Sequence, residues 1–127
     1  MLRALHRLLR PWGRMAFFTI FVAPGLPPAA QRRARQDGPR AVATRSDCRR
    51  LLAAAGFIDL QEIDATAAFV HTARAWLDER ERHAAELAAV ESKETFQERQ
   101  QDHRALLAAA EDGLLHRALF TATRPGR

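Results

Sequence analysis

The stretch that most constrains this chain runs from Arg14 to Val22, Arg-Met-Ala-Phe-Phe-Thr-Ile-Phe-Val, where aromatic and β-branched side chains stand at nearly every position. A strand with one face in water alternates apolar and polar residues. A continuous apolar run predicts a strand covered on both faces, as in the parallel sheet of an α/β fold. Even when extended to Pro24 the run is far too short to cross a bilayer. At 127 residues and 14.3 kDa, the chain has room for a single domain over 1–127 built around that strand.

The flanking segments supply the rest of an α/β alternation. Leu2, Leu5, Leu8 and Leu9 recur at helical spacing, predicting a short amphipathic helix over residues 2–10 that Pro11 ends, and Pro11-Trp12-Gly13 makes a tight turn. Residues 23–45 hold four of the six prolines together with Arg32, Arg33, Arg35, Arg40 and Arg45. They read as a long Arg/Pro-rich loop with room for one short helix near Ala29–Gln36. Ser46 is placed to cap the next helix, Asp47 suits its positive end, and Gly56 supplies a left-handed stop followed by Phe57 as its hydrophobic contact. Residues 57–64 alternate in part and suit a strand near a sheet edge. Thr66 opens a helix with Phe69, Val70, Ala73, Trp76 and Leu77 on one face, continuing to about Ala89, and Asp78–Arg82 forms a solvated charge run. Thr95 and Glu98 are spaced as a capping box for a further helix that turns Phe96, His103, Leu106, Leu107 and Ala110 inward and stops at Gly113. Arg117–Thr123 is the last strand.

The net charge of +5 and the isoelectric point of about 11.1 are unevenly distributed. Residues 1–50 carry 11 Arg against Asp37 and Asp47, whereas residues 51–127 are net acidic. All cations but Lys93 are Arg, alongside 26 Ala, which reads as the bias of a GC-rich coding sequence rather than as a phosphate-binding surface. The Arg cluster lacks the interleaved aromatics on which single-stranded nucleic acid would stack, so nucleic acid is not the expected partner. The N-terminal 36 residues hold no acid and resemble a targeting segment, but a helix stop and turn at residues 10–14 have no place in one, and no processing is expected.

The single cysteine, Cys48, excludes an internal disulfide and reads as a small buried hydrophobe. The histidines at 6, 71, 83, 103 and 116 never fall three or four residues apart, so no helical metal site is expected, and His103 reads as a satisfied core histidine. The six glycines are isolated, and no glycine-rich phosphate loop exists. Asp78, Glu79 and Glu81 are adjacent helix-surface carboxylates that point in different directions and serve solubility. No catalytic residue is identified.

Three segments nevertheless share a pattern. Ala4 to Phe17, Ala-Leu-His-Arg-Leu-Leu-Arg-Pro-Trp-Gly-Arg-Met-Ala-Phe, resembles the "L-x-x-x-L-[RK]-P-G-G-x-L-x-F" segment before the fifth strand of class I S-adenosylmethionine-dependent methyltransferases. Leu51 to Leu60 resembles the family's "L-L-x-x-A-G-F-x-x-V" lead into the sixth strand, and His116 to Pro125 its closing seventh strand. Trp12 departs from the pattern at the first glycine, so the turn requires a φ there that Trp can adopt. The resemblance implies the C-terminal half of the domain: a partial Rossmann-like sheet of about three strands, local order 5-7-6 with the last antiparallel, and four or five helices.

By the same resemblance, the cofactor loop and the acidic residue that holds the ribose belong to an N-terminal half outside this sequence, as in a truncated, split or misannotated gene. The cofactor implied for the family is S-adenosylmethionine, with no binding expected of this chain alone. The methyl acceptor, expected to be a small molecule, would be bordered by Thr19 and Phe21 at the end of the first strand and by Phe69, Thr72 and Trp76. Met15–Val22 would present an apolar edge, expected to pair with a second copy or with a separate N-terminal half. A cytoplasmic location with no membrane contact is expected. A rival expectation is a non-enzymatic interaction module using that edge or the helix from Thr66.

Overall fold

The computed structural model of the chain describes residues 2–40 and 42–126, without the side chains of residues 43–47. The elements, in order, are α1 (Leu2–Leu8), β1 (Arg14–Val22), α2 (Pro28–Asp37), β2 (Ala43–Thr44), α3 (Arg45–Ala54), β3 (Ile58–Asp64), α4 (Thr66–Arg82), α5 (Ala84–Glu91), α6 (Lys93–Glu111) and β4 (Leu115–Thr123). The sheet order is β2-β1-β4-β3. Strand β4 runs antiparallel between β1 and β3, in unbroken register with β1 from Arg14↔Thr123 to Val22↔Leu115. The expected α/β class and the local order with an antiparallel closing strand are both present. The expected caps Ser46 and Asp47 lie outside the described side chains.

Local chemistry explains most element ends. At Gly56 (φ +93°) the amides of Gly56 and Phe57 donate to the carbonyls of Ala53 and Leu52, at 3.0 and 3.1 Å. At Gly113 (φ +78°) the amides of Gly113 and Leu114 donate to Ala110 and Ala109 in the same way. Both are Schellman closures, in which glycine accepts the left-handed conformation and the next apolar residue packs back. Phe57 and Leu114 are buried as that motif requires.

Two apolar clusters sandwich the sheet. On one face Phe21, Phe57, Phe120, Ala118 and Ala122 pack under α3 through Cys48 and Leu52, with Leu2 and Leu9 closing the side. On the other, Val22 and Leu115 pack against small residues, Ala34 of α2 and Ala109 and Ala110 of α6, which let those helices approach closely. Alternation along β1 divides its side chains between the faces: Met15, Phe17 and Phe21 toward the first, Ile20 and Val22 toward the second.

Several expectations are corrected. Strand β1 is not covered on both faces along its length: only Phe21 and Val22 are buried, and Phe18 is 53% exposed. The helices of the second face reach over its carboxyl end only, and β2, which the sequence did not reveal, pairs with just Phe21 and Val22. The helix from Thr66 stops at Arg82 and restarts at Ala84, which gives six helices among the described residues instead of four or five. The cap of α6 is Ser92, whose Oγ accepts from the Thr95 amide, so Thr95 lies inside the first turn. The charge run is not wholly solvated, because Arg80 is only 8% exposed. The 23–45 stretch contains α2 and β2.

Trp12 does occupy a left-handed position, φ +65°. Pro11 precedes it and the Gly13 amide donates to the Arg10 carbonyl at 2.8 Å, which makes a turn whose third residue prefers glycine. Tertiary pairing holds it: the Trp12 amide donates to the Arg124 carbonyl (2.9 Å), the Arg124 amide to the Gly13 carbonyl (2.8 Å), and the indole lies against Gly126. Trp12→Gly is expected to change stability by less than about 1 kcal/mol, because relief of the left-handed strain is offset by a more flexible unfolded chain and lost indole packing. Gly13→Ala is expected to cost about 2 kcal/mol, since its Cβ would stand 2.7 Å from the Arg10 carbonyl oxygen. Urea denaturation of both variants checks the contrast, and equal losses would refute it.

Candidate functional site

Strands β1 and β3 are parallel to one another, so their carboxyl ends lie on one rim of the sheet, where open α/β sheets bind ligands. A cleft of 330 Å³ opens there, lined by Phe21, Pro24, Arg49, Glu62, Asp64 and His116. Its carboxylates are already engaged. Arg49 of α3 reaches Glu62 at 3.3 Å. The Thr66 hydroxyl and amide donate to Asp64 Oδ1 at 2.6 and 3.0 Å, and these bonds hold the Asp64 carboxyl below its ordinary range. The Thr66 oxygen in turn accepts from the Arg117 amide at 3.0 Å, tying the start of α4 to β4. The His116 ring stands edge-on to Phe21, centroids 5.8 Å apart.

A second cavity, of 380 Å³, lies on the opposite face between the sheet and the α4–α6 pair. Ile20 and Arg117, a cross-strand pair of β1 and β4, form its floor. Phe69, Thr72, Ala73 and Trp76 of α4 and His103 and Leu106 of α6 form its walls. Trp76 and His103 meet edge to face, centroids 4.7 Å apart and planes at 90°. Burial, followed by the charge of Arg80, holds the His103 pKa below its ordinary value, so the ring is neutral near pH 7.

The structure brings three of the five expected acceptor-site residues together: Phe69, Thr72 and Trp76 line one cavity. The other two are on the far side of the sheet. Phe21 belongs to the first-face core and touches the rim cleft, and Thr19, opposite Ala118, shares its parity. The strand residue that meets Phe69 and Trp76 is Ile20, and the period of two along β1 was the signal that assigns it. His103, expected as a core histidine, and Arg117 line the same cavity, which nothing in their spacing indicates, since α6 and β4 converge there only in the fold.

Among the described residues no group of three His, Cys, Asp or Glu side chains could hold a metal ion, and no helix is long and apolar enough to cross a membrane. The left-handed glycines at 25, 56 and 113 are isolated turn positions, and the rim acids Glu62 and Asp64 are held by Arg49 and Thr66.

No family model and no curated protein matches the sequence. Solved structures do match. A putative sarcosine dimethylglycine methyltransferase from Galdieria sulphuraria superposes with a TM-score of 0.83 at 16% identity, covering 99% of this chain and 47% of that one. The mycolic acid cyclopropane synthase CmaA1, complexed with SAH and CTAB, gives 0.81 at 18% identity, covering 96% of this chain and 48% of that one. Phosphoethanolamine N-methyltransferase 2 from Haemonchus contortus, in complex with S-adenosyl-L-methionine, gives 0.78 at 16% identity, with 98% and 29% covered. The chain thus spans half or less of the length of these structures. Together with the order β1-β4-β3 and the antiparallel β4, these likenesses show that the chain has the fold of the C-terminal half of a class I S-adenosylmethionine-dependent methyltransferase domain.

Proposed function

We propose that this chain forms the acceptor side of an S-adenosylmethionine-dependent methyltransferase acting on a small molecule, and that alone it neither holds the cofactor nor turns over. The observation that carries this reading is the likeness of nearly the whole chain to methyltransferases over half or less of their length. Isothermal calorimetry of the purified chain with S-adenosylmethionine is expected to show no saturable binding tighter than about 1 mM. Stoichiometric binding near about 1 μM would overturn the claim that the chain alone cannot hold the cofactor.

A second reading concerns partners. From Arg14 to Ile20 the outer edge of β1 has no strand partner among the described residues, and the exposed Phe18 stands beside it. An apolar, unpaired edge is a template for another strand. We propose that it pairs with a second copy or with a complementary N-terminal half. Sedimentation equilibrium is expected to show concentration-dependent association that Phe18→Lys weakens. A monomer at high concentration, with fast amide exchange limited to the termini, would count against it.

A further inference from the structure

We propose that the cavity between the β1–β4 pair and the α4–α6 pair binds a small apolar carboxylate, its anionic group held by Arg117. Arg117 is half-buried, and its guanidinium carbon lies 4.2 Å from the Phe18 ring centroid and 5.5 Å from that of Phe69. The other half-buried or buried arginines find oxygen partners: Arg49 has Glu62, Arg80 has Glu91 and Gln100, and Arg124 has the Leu9 carbonyl. The Arg117 guanidinium meets no carboxylate or carbonyl among the described residues. Contact with aromatic faces leaves its in-plane N–H fork available, and that fork matches the two oxygens of a carboxylate.

The rest of the cavity selects the body of the ligand. Phe69, Trp76, Leu106 and Ile20 make it apolar, no acidic side chain lines it, and its 380 Å³ falls within the range of small-molecule sites. An amine would be repelled by Arg117 with no carboxylate to receive it. A polyphosphate would find one guanidinium, the Thr72 hydroxyl and the His103 imidazole among largely apolar walls, with a single cation against its several charges. An aromatic or branched monocarboxylate satisfies both ends. That such a ligand is the methyl acceptor rests on the function proposed above; that it binds here does not.

The test is an NMR titration of the full chain with phenylacetate, phenylacetamide and phenethylamine, read at the Trp76 indole N–H with Trp12, at the β1 turn, as an internal control. Phenylacetate is expected to give saturable shifts at Trp76 and Ile20 and to bind about tenfold more tightly than the amide, with no saturable binding of the amine. Arg117→Met is expected to reduce phenylacetate to the affinity of the amide. Equal affinity for acid and amide, no saturable binding, shifts centred elsewhere, or undiminished acid preference in Arg117→Met would each overturn the proposal. The acid–amide comparison needs no variant, so it decides the matter even if Arg117→Met fails to fold. Phenylacetate binding without methyl transfer in any reconstituted enzyme would leave the site standing and remove the acceptor role. Methyl transfer to another acceptor, without carboxylate binding, would overturn the site and leave the proposed methyltransferase function standing.

Discussion

Phe120→Ala is expected to cost the protein about 4–8 kcal/mol of stability. Phe120 is 1% exposed on β4, the strand flanked by both long neighbours, so its backbone cannot move inward to fill a void. Its ring stacks on Phe17, centroids 5.7 Å apart, and meets Phe21 at 6.5 Å, under Leu52 of α3. Truncating a buried Phe costs about 3–5 kcal/mol, with about 0.5–1.5 kcal/mol more for each lost aromatic pair. Domains of this kind have about 5–15 kcal/mol in total. Circular dichroism through a urea titration checks it. Phe18→Ala, on the exposed side of β1, is the control and is expected to cost under about 1 kcal/mol. Similar losses for the two variants would mean that the core is not centred on the β1–β4 pairing.

Arg80→Ala is expected to cost about 3 kcal/mol and to release α5 from the body of the protein. The guanidinium lies between Trp76 and Phe96, 5.4 and 5.2 Å from their centroids. Its Nε donates to Gln100 Oε1 at 2.5 Å, and its terminal nitrogens donate to both oxygens of Glu91 at 3.3 and 3.1 Å. Without Arg80 the Gln100 oxygen, on a side chain 1% exposed, loses its donor. Helix α5 packs on α6 with no buried residue of its own, so Glu91, held by Arg80 and by Arg99 at 3.0 Å, is its main polar anchor. Hydrogen exchange is expected to speed up over Ala84–Glu91 while β1 and β4 stay protected. Arg80→Lys is not expected to rescue, because a single ammonium cannot bridge Glu91 and Gln100 in a plane.

Acid should act on the same anchor. The hydrogen bond from Arg80, followed by its charge, lowers the Glu91 pKa from its ordinary 4.5. The stability it lends is therefore complete above that value and is lost as pH falls through the lower folded-state pKa. Unchanged exchange in α5, in the variant or in acid, would refute the anchoring role.

Signals that act along the chain were legible. The apolar run gave β1, the two glycine stops gave the ends of α3 and α6, and the Pro-x-Gly turn survived even with Trp12 at its strained position. These features depend on residues within one or two turns of one another, where spacing carries the information. The break at His83 was not legible: no proline or glycine marks it, and α5 is set by packing on α6. The two-residue β2 is too short to leave a pattern.

The candidate site shows the same division. Phe69, Thr72 and Trp76 share one helix face and were found together, since helical spacing alone groups them. Thr19 and Phe21 were joined to them by position along β1, but the sheet sends those side chains to the opposite face, and Ile20 takes their place. Arg80 read as one more solvated charge until Trp76, Phe96, Gln100 and Glu91 closed around it, and Arg117 as an ordinary strand cation until Phe18 and Phe69 met its faces. By itself, the sequence determined the class of fold, the chief strands and their order along the chain, because periodicity and capping are local. Which charges are buried, which face each strand residue takes and which elements enclose a cavity were decided only by the tertiary structure, because these depend on contacts between residues tens of positions apart.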